Sequence, residues 1–560
     1  MNRRILIAGG VAAGASAATR ARRLDEQARI VIFERDSHVS FANCGLPYYV
    51  GDVIKNRNEL LLQTPERFKR RFNIDVCVRH EVKSIERKGK RISVQNLDTG
   101  NNEWHGYDRL ILAPGASPIK PPFAGMDSTN VFHLRNMDDS DSLRAHVDTG
   151  KVHRALIVGA GFIGMEAAEM LAHRGIKVDV VELTPQVLPP LDPDMAAMVA
   201  LHLREKGVSL HLGSGLEKLV AREGKVTGVE LASGRRIDTD LVLMSMGVRP
   251  NVALAKDAGL ALGPNGGIQV NERMETSDPA ILAAGDAVEV VHSVTGKRVL
   301  IPLAGPANRC GRLAGEVAAT GTGPSAPTVA GTAVVQVFDQ TVACTGLSRK
   351  AAQAAGIEAR HIIIKRPQHV GYYPGSEMMT IKLVYEPKTK RILGGQIVGG
   401  SGVDRRIDII ATVIHFGGTA EDLAAVDLAY APQFGAAKDP VHIAAFVADN
   451  QDRGLVEHVD SEDVVSLAAQ GYQIIDVRSP DEFANGAIAG AINLSVDVLR
   501  AEHHRLKPDR PILVYCQVAQ RGYYAARILH GLGRDDVVNL AGGYAAYSIY
   551  KRAAEHLTVS

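Results

Sequence analysis

Arg4-Ile5-Leu6-Ile7-Ala8-Gly9-Gly10-Val11-Ala12-Ala13-Gly14 opens the chain and decides its architecture. Arg4 to Ala8 read as a short buried strand. Gly9 to Gly14 make a turn, and an alanine-rich helix follows as far as Leu24. A second strand, Arg29 to Phe33, ends at Glu34, 20 residues beyond Gly14. This is the start of a dinucleotide-binding βαβ unit. Its glycines let the backbone approach a pyrophosphate, which then lies at the helix N-terminus. In the G-x-G-x-x-G frame that begins at Gly9 the middle glycine is Val11, so strand, helix and acid carry the assignment together with the glycines.

The pattern recurs without a flaw. Ala155-Leu156-Ile157-Val158 runs into Gly159-Ala160-Gly161-Phe162-Ile163-Gly164, a helix extends through His173, and the strand Lys177 to Val181 ends at Glu182. Two such units imply two dinucleotides, most simply a flavin and a nicotinamide. Leu110 to Ala116, with Ala113 and Gly115, reads as the crossing from the first unit into the second. Ile281-Leu282-Ala283-Ala284-Gly285-Asp286 is a strand whose terminal acid can reach the ribityl chain of a flavin. The expected cofactor contacts are therefore Gly9, Gly10, Ala12, Gly14, Glu34, Ala113, Gly115, Gly285 and Asp286 for FAD, and Gly159, Gly161, Gly164 and Glu182 for the nicotinamide dinucleotide. Glu182 can bond a ribose 2′-hydroxyl and repels a 2′-phosphate. Leu183-Thr184-Pro185-Gln186 supplies no arginine, so NADH is favoured over NADPH.

The expected fold class is α/β. The expected plan is a split FAD domain (1–112 and 245–320), an inserted NAD(P)H domain (113–244), an α+β domain (325–447) and a small C-terminal α/β domain (455–560). Polar residues from Asp449 to Gly454 read as the linker to the last of these.

Between the strand ending at Glu34 and the next element stands Ser40-Phe41-Ala42-Asn43-Cys44-Gly45-Leu46-Pro47. Flavin-linked disulfide reductases usually carry two cysteines here, spaced C-x4-C. The first position of that pair is Val39 in this chain, so any sulfur partner of Cys44 has to come from outside. Gly45-Leu46-Pro47 can form a first helical turn, and a helix N-terminus would lower the thiol pKa. Cys77, Cys310 and Cys344 lie in strand- or helix-like segments without activating neighbours.

A second lone cysteine closes a buried strand in Ile512-Leu513-Val514-Tyr515-Cys516, and Gln517 to Gly522 lead into a helix from Tyr523 to Leu529. The backbone N–H groups of such a loop form an anion nest, and Arg521 adds charge. C-x4-R gives a compact ring suited to a sulfur-sized group, whereas one more residue would fit a phosphate.

Composition excludes other classes. The 560 residues are 46% hydrophobic and 22% charged, ordinary for a soluble protein of several domains. A net charge of +2 gives no reason to expect nucleic acid. No apolar run approaches a membrane span and no signal peptide is evident. Five cysteines without a C-x-x-C pair argue against a disulfide framework or a metal site and fit a reducing cytoplasm. Arg20, Arg22 and Arg23, and Lys69, Arg70 and Arg71, are either solvated helix faces or an anion site for a phosphorylated ligand.

On these motifs residues 1–450 resemble the coenzyme A disulfide reductases of the pyridine nucleotide–disulfide oxidoreductase family. The resemblance rests on Ser40-Phe41-x-x-Cys44, both glycine loops, Ala284-Gly285-Asp286, and Ala431-Pro432 followed by Lys438-Asp439-Pro440. Residues 455–560 are similar to a rhodanese domain through Asp476-Val477-Arg478, Gly490-Ala491-Ile492-Asn493 and the Cys516 loop. The combination resembles fusions described as NADH-dependent persulfide or polysulfide reductases. It implies a homodimer, Cys44 as the redox cysteine, and coenzyme A contacts at Arg20, Arg23, Ser40, Asn43, Arg71, Asn308 and Lys438. It also implies paired tyrosines, Tyr430 with either Tyr372 or Tyr373, that reach the sulfur site across the dimer. Cys516, with Arg521, would carry sulfane sulfur. The usual His-Ile-Pro-Gly-Ala of rhodaneses is here Ala487-Ile488-Ala489-Gly490-Ala491, a change expected to alter a turn and not the chemistry.

Two other readings compete. An NADH oxidase or peroxidase also uses one cysteine, as a sulfenic acid, although the first glycine loop lacks the histidine of the peroxidase branch. A non-enzymatic redox or sulfur sensor is disfavoured by the intact second glycine motif and Cys516 loop.

Overall fold

The computed structural model describes residues 2–558 as two compact units, one holding residues up to Leu183 and Ser214–Gly331, the other Thr184–Gly213 and the chain from Thr332 onward.

The first unit is built on two parallel sheets. One runs in the order Ile281–Ala283, Arg109–Leu112, Arg4–Ala8, Arg29–Glu34, Asp75–Val78. The apolar runs of all but the edge strand Asp75–Val78 are buried on both faces, as parallel strands require. Helix Ala12–Leu24 packs against helix Ala304–Thr320 at the distance of bare backbone: a Cβ on Gly311 would collide with the Ala13 carbonyl, and one on Gly315 with that of Ala17. In the other sheet Arg154–Val158 pairs in parallel with Lys177–Glu182 and Leu241–Met244, and the last of these with Val131–Phe132. Ala116–Pro118 and Val248–Pro250 pair antiparallel where the chain passes out of and back into the first sheet.

The second unit contains an antiparallel sheet, Ala333–Val337, Gln340–Gly346, Ile392–Gly399, Met378–Tyr385 and Arg360–Pro367. Helix Val403–His415 lies on it through Val403, Ile407, Ile410 and Ile414. Lys382, fully buried in that sheet, is compensated by Asp194 at 2.9 Å and Asp192 at 3.2 Å. The C-terminal sheet is all parallel, in the order Glu457–Val459, Val537–Leu540, Ile512–Tyr515, Gln473–Asp476, Ile492–Asn493.

The expected polar linker is not one. Helix Pro440–Asp452 runs through Asp449 and Asn450, and Gln451 is buried. The polar residues are the last turn of a helix whose other face is apolar. Only Arg453 to Val456 separate it from strand Glu457–Val459, and Leu455 is fixed by Arg527, which donates to its carbonyl at 2.9 Å.

Candidate functional site

Each glycine loop is tied down by the acid at the end of the following strand. Glu34 accepts from the Gly10 N–H at 2.8 Å and Glu182 from the Ala160 N–H at 2.8 Å. Burial pushes the Glu34 carboxyl up, against the hydrogen bonds from Asp36 and Gly10. Gly9 and Gly159 adopt φ of 97° and 107°, and a Cβ on either would strike the backbone of the strand-end beside it, Ala113 or Ser245. Nothing lies within 4 Å of the Cβ position at Gly161, so the mouth of the second loop is open where a pyrophosphate would lie. Both loops therefore fit a dinucleotide. Asp286 is held by Arg135 at 3.1 Å, a partner that no motif announced.

Cys44 lies in a 3-10 turn, Asn43–Gly45, which runs into the five-residue helix Leu46–Val50. Ser40 takes a left-handed φ of 48° and its N–H donates to the Gly10 carbonyl at 2.9 Å, fastening the cysteine loop to the first glycine loop. Val39 is packed, 1% exposed, at the first position of the C-x4-C spacing that ends at Cys44. All five cysteines are free.

The expectation of a depressed Cys44 pKa is corrected. Burial of the sulfur pushes the thiol up, the carboxylates of Glu166 and Asp286 push the same way, and only Arg135 opposes them. The residue as a whole is exposed, so this burial is the crowding of protein around one side of the thiol. A five-residue helix offers too few aligned peptides to outweigh it.

Glu166, on helix Phe162–His173, was not foreseen. The Tyr48 hydroxyl donates to its Oε1 at 3.1 Å. Burial raises the Glu166 carboxyl despite that bond, and burial with Glu166 raises Tyr48 well above an ordinary phenol. The sequence signal was the spacing alone: Tyr48 is one turn past Cys44, and Glu166 is the second residue after Gly164.

The expected coenzyme A residues divide. Ser40 lies in the loop that leads to Cys44, and the Asn43 Oδ1 accepts from the Cys44 Sγ at 3.7 Å. Asn308 is exposed beside helix Ala12–Leu24 and accepts from Ser16 Oγ at 2.6 Å. Arg20 is not a free cation, because Glu316 holds it at 2.6 Å. Arg22 is buried and bonds four backbone carbonyls, those of Asp25, Glu26, Phe72 and Asn73. Arg23, Arg71 and Lys438 are exposed. In the second unit the hydroxyls of Tyr372 and Tyr430 lie 3.2 Å apart, and both rings are largely exposed. Tyr373 instead meets His369 edge-on, so Tyr372 is the one that pairs.

In the C-terminal domain Cys516 is buried at the end of strand Ile512–Tyr515. The carbonyls of Cys516 and Gln517 accept from Tyr544 and Ala545 of the last helix at 2.8 and 3.1 Å. Ala519 turns the loop with a left-handed φ of 70°, held by Asn539 on its carbonyl at 3.1 Å. The next helix begins at Gln520, three residues earlier than expected, so Arg521 belongs to its first turn. Arg521 is also not a free charge: Glu482 takes both its terminal nitrogens at 2.7 and 2.6 Å, and that pairing holds the Glu482 carboxyl at about 2. Arg478 pairs through Nε and Nη2 with fully buried Asp476 and sends Nη1 to Gln517 Oε1 at 3.1 Å. The altered Ala487-Ile488-Ala489 turn is held by the Tyr515 hydroxyl, which accepts from the Ile488 N–H at 3.2 Å.

Residues 3–306 match the family described as pyridine nucleotide-disulphide oxidoreductase, residues 332–440 its dimerisation domain, and residues 461–549 the rhodanese-like domain. Over 79% of this chain and 98% of the relative, it is 37% identical to an NADH oxidase of Methanocaldococcus jannaschii. Over 80% of this chain and 99% of the relative, it is 32% identical to a coenzyme A disulfide reductase of Staphylococcus haemolyticus. Two solved structures cover the C-terminal domain as well. Reduced CoADR-RHD of Bacillus anthracis superposes with a TM-score of 0.95 at 42% identity over 98% of both chains. A NAD-dependent persulfide reductase from A. fulgidus superposes with a TM-score of 0.92 at 36% identity, over 97% of this chain and 100% of that one.

Proposed function

Because this chain belongs to the pyridine nucleotide-disulphide oxidoreductase family and ends in a rhodanese-like domain, we propose that it is an NADH-dependent flavoenzyme that reduces persulfide or disulfide sulfur at Cys44. Its substrates would be coenzyme A persulfide, polysulfide or coenzyme A disulfide, met in a reducing cytoplasm. The observation that carries the reading is a lone exposed Cys44 whose partner position is filled by buried Val39. A cysteine so placed can exchange sulfur only with an external donor. The proposed domain limits are 1–112 with 245–320 for FAD, 113–244 for NADH, 325–447 for dimerisation and 455–560 for the rhodanese domain.

Bound at the two glycine loops, flavin and nicotinamide supply an electron pair to the Cys44 site. The residues of the chain do the rest. The Cys44 thiolate attacks the outer sulfur of R–S–S⁻. The S–S bond breaks, RS⁻ leaves, and Cys44–S–S⁻ remains. Two electrons and one proton then return the Cys44 thiolate and release HS⁻. With coenzyme A disulfide the same attack gives a mixed disulfide at Cys44 and one free thiolate. Arg23, Arg71, Asn308 and Lys438 would hold the coenzyme A moiety, with Ser40 and Asn43 beside the sulfur and Arg20 contributing through its ion pair with Glu316. In a homodimer the Tyr372–Tyr430 pair would reach the sulfur site and donate to the departing sulfur. Cys516 would hold sulfane sulfur as a persulfide.

Stopped-flow oxidation of NADH with each sulfur substrate tests this in wild type, Cys44→Ser and Cys516→Ser. Cys44→Ser should lose turnover with all of them, and Cys516→Ser only with polysulfide or protein-borne sulfur. Full persulfide reduction by Cys44→Ser would end the proposal. The likeness to an NADH oxidase supports a second reading, in which Cys44 is oxidised to a sulfenic acid. That reading expects NADH consumption driven by oxygen or peroxide and none by polysulfide.

A further inference from the structure

The two guanidinium groups that the C-terminal domain brings to the Cys516 loop are each neutralised inside that domain, Arg478 by Asp476 and Arg521 by Glu482. Uncompensated positive charge comes from elsewhere. Strand Arg360–Pro367 of the preceding antiparallel sheet lies against the loop. Arg366 Nη1 donates to Oε1 of Gln520, the first residue of the helix that leaves the loop, at 2.8 Å. The Gln520 amide in turn donates to Tyr524 Oη at 2.5 Å. Gln520 is thus gripped at both ends of its side chain, one of them by another domain.

Three residues before Arg366 in the strand, the Ile363 side chain is 3.4 Å from the Cβ position of Gly542. Gly543, the next residue, abuts the Cys516 carbonyl. Alternation along a strand puts Lys365 on the Ile363 face, toward the same corner, and Arg366 on the other face, from which its long side chain reaches Gln520. Lys365 is partly buried, and burial alone pulls its ammonium below the ordinary lysine range. Among the described residues neither Lys365 nor Arg366 has a carboxylate within ion-pair distance. The docking is fixed at a second place, where Asp460 accepts from His361 at 2.9 Å and Arg349 at 2.8 Å.

We propose that the Cys516 site is completed by the dimerisation domain, with Arg366 as a positioning residue for the loop and Lys365 and Arg366 as the charges that admit a small anionic sulfur donor. The proposal rests on the reading of Cys516 as a sulfane-sulfur carrier. The donor is a persulfide or polysulfide anion. The Cys516 thiolate attacks its terminal sulfur, the donor S–S bond breaks, RS⁻ departs, and Cys516–S–S⁻ is left with no net oxidation and no proton consumed. The sulfur-transfer domain then works while docked, on a donor that comes to it.

The test uses the full-length holoenzyme and the alkylation of Cys516, followed by mass spectrometry of its peptide, with anionic iodoacetate and neutral iodoacetamide. Their rate ratio reports admission of anions independently of sulfur transfer. Lys365→Met and Arg366→Ala should each lower the iodoacetate-to-iodoacetamide ratio about 3- to 10-fold at low salt, with the difference closing at high salt. Arg366→Lys should recover most of it. An unchanged ratio in Arg366→Ala, or an Arg366→Lys ratio no better than that of Arg366→Ala, overturns the proposal. Transfer of sulfur from glutathione persulfide to cyanide, compared in wild type and Cys516→Ser, tests the underlying reading separately: equal rates would remove the carrier role, and the alkylation ratio would still judge the charges.

Discussion

The Tyr48 hydroxyl donates to the Glu166 carboxylate at 3.1 Å, joining the short helix that follows Cys44 to the helix that follows the second glycine loop. Val50 and Gly51 strengthen the same junction, since Arg174 donates to the Val50 carbonyl at 3.0 Å and Gly51 leaves room for the Met170 side chain. Cys44 is therefore carried on a segment bolted to the second dinucleotide fold.

Glu166→Gln is expected to ease Cys44 ionisation. Burial is the first cause of the raised thiol pKa and Glu166 the second, so removing its charge moves the pKa down. The pH profile of Cys44 alkylation by iodoacetamide measures this. A midpoint that stays put would mean that the two groups are not coupled.

Gly161→Ala is expected to weaken NADH without harming the fold. No protein atom lies within 4 Å of the new methyl, but it enters the space a pyrophosphate needs. KM for NADH should rise roughly tenfold, about 1.4 kcal/mol. Flavin content should be unchanged and Tm should move by less than about 2 °C. A large fall in Tm would place the glycine in the packing instead.

Tyr372→Phe and Tyr430→Phe should have similar effects, because each removes one end of a single 3.2 Å hydrogen bond. The bond to Tyr372 is the first cause of the raised Tyr430 phenol. Sulfur reduction should slow about 10- to 100-fold in either variant while flavin bleaching by NADH stays at the wild-type rate. Tyr373→Phe, which keeps the ring against His369, should be near normal. A defect in Tyr373→Phe as large as in Tyr372→Phe would overturn the assignment.

His458 should make the chain acid-labile. Burial pushes it from 6.5 to about 4, and its Nδ1 has no hydrogen-bond partner. A depressed folded pKa means that the unfolded chain binds the proton first. Stability is then complete above pH about 6.5 and falls as the pH drops toward about 4, by roughly 3 kcal/mol in all. Urea unfolding at pH 7 and pH 5 measures the slope, and His458→Asn should flatten it.

The placement of the lone cysteines and of the acids at the strand ends was legible because these features are local. A glycine turn, the strand before it and the acid 20 residues on are read along a single stretch of chain. The polar run at Asp449 misled for a related reason: polarity marks solvent exposure, and the outer face of a helix has it as readily as a linker does. The short helix after Cys44 is visible in the sequence, whereas the burial of its thiol and the approach of Glu166 and Asp286 to it are not.

The sequence by itself determined two dinucleotide folds, the absence of a C-x4-C partner for Cys44 and the C-x4-R spacing at Cys516, because each follows from residue type and spacing along one segment. Only the tertiary structure decided which charges remain uncompensated. Arg20 is matched by Glu316 and Arg521 by Glu482, while Arg366 reaches the Cys516 loop from 154 positions away. Coulomb interactions depend on distance in space, and separations of that length along the chain carry no information about it until the chain has folded.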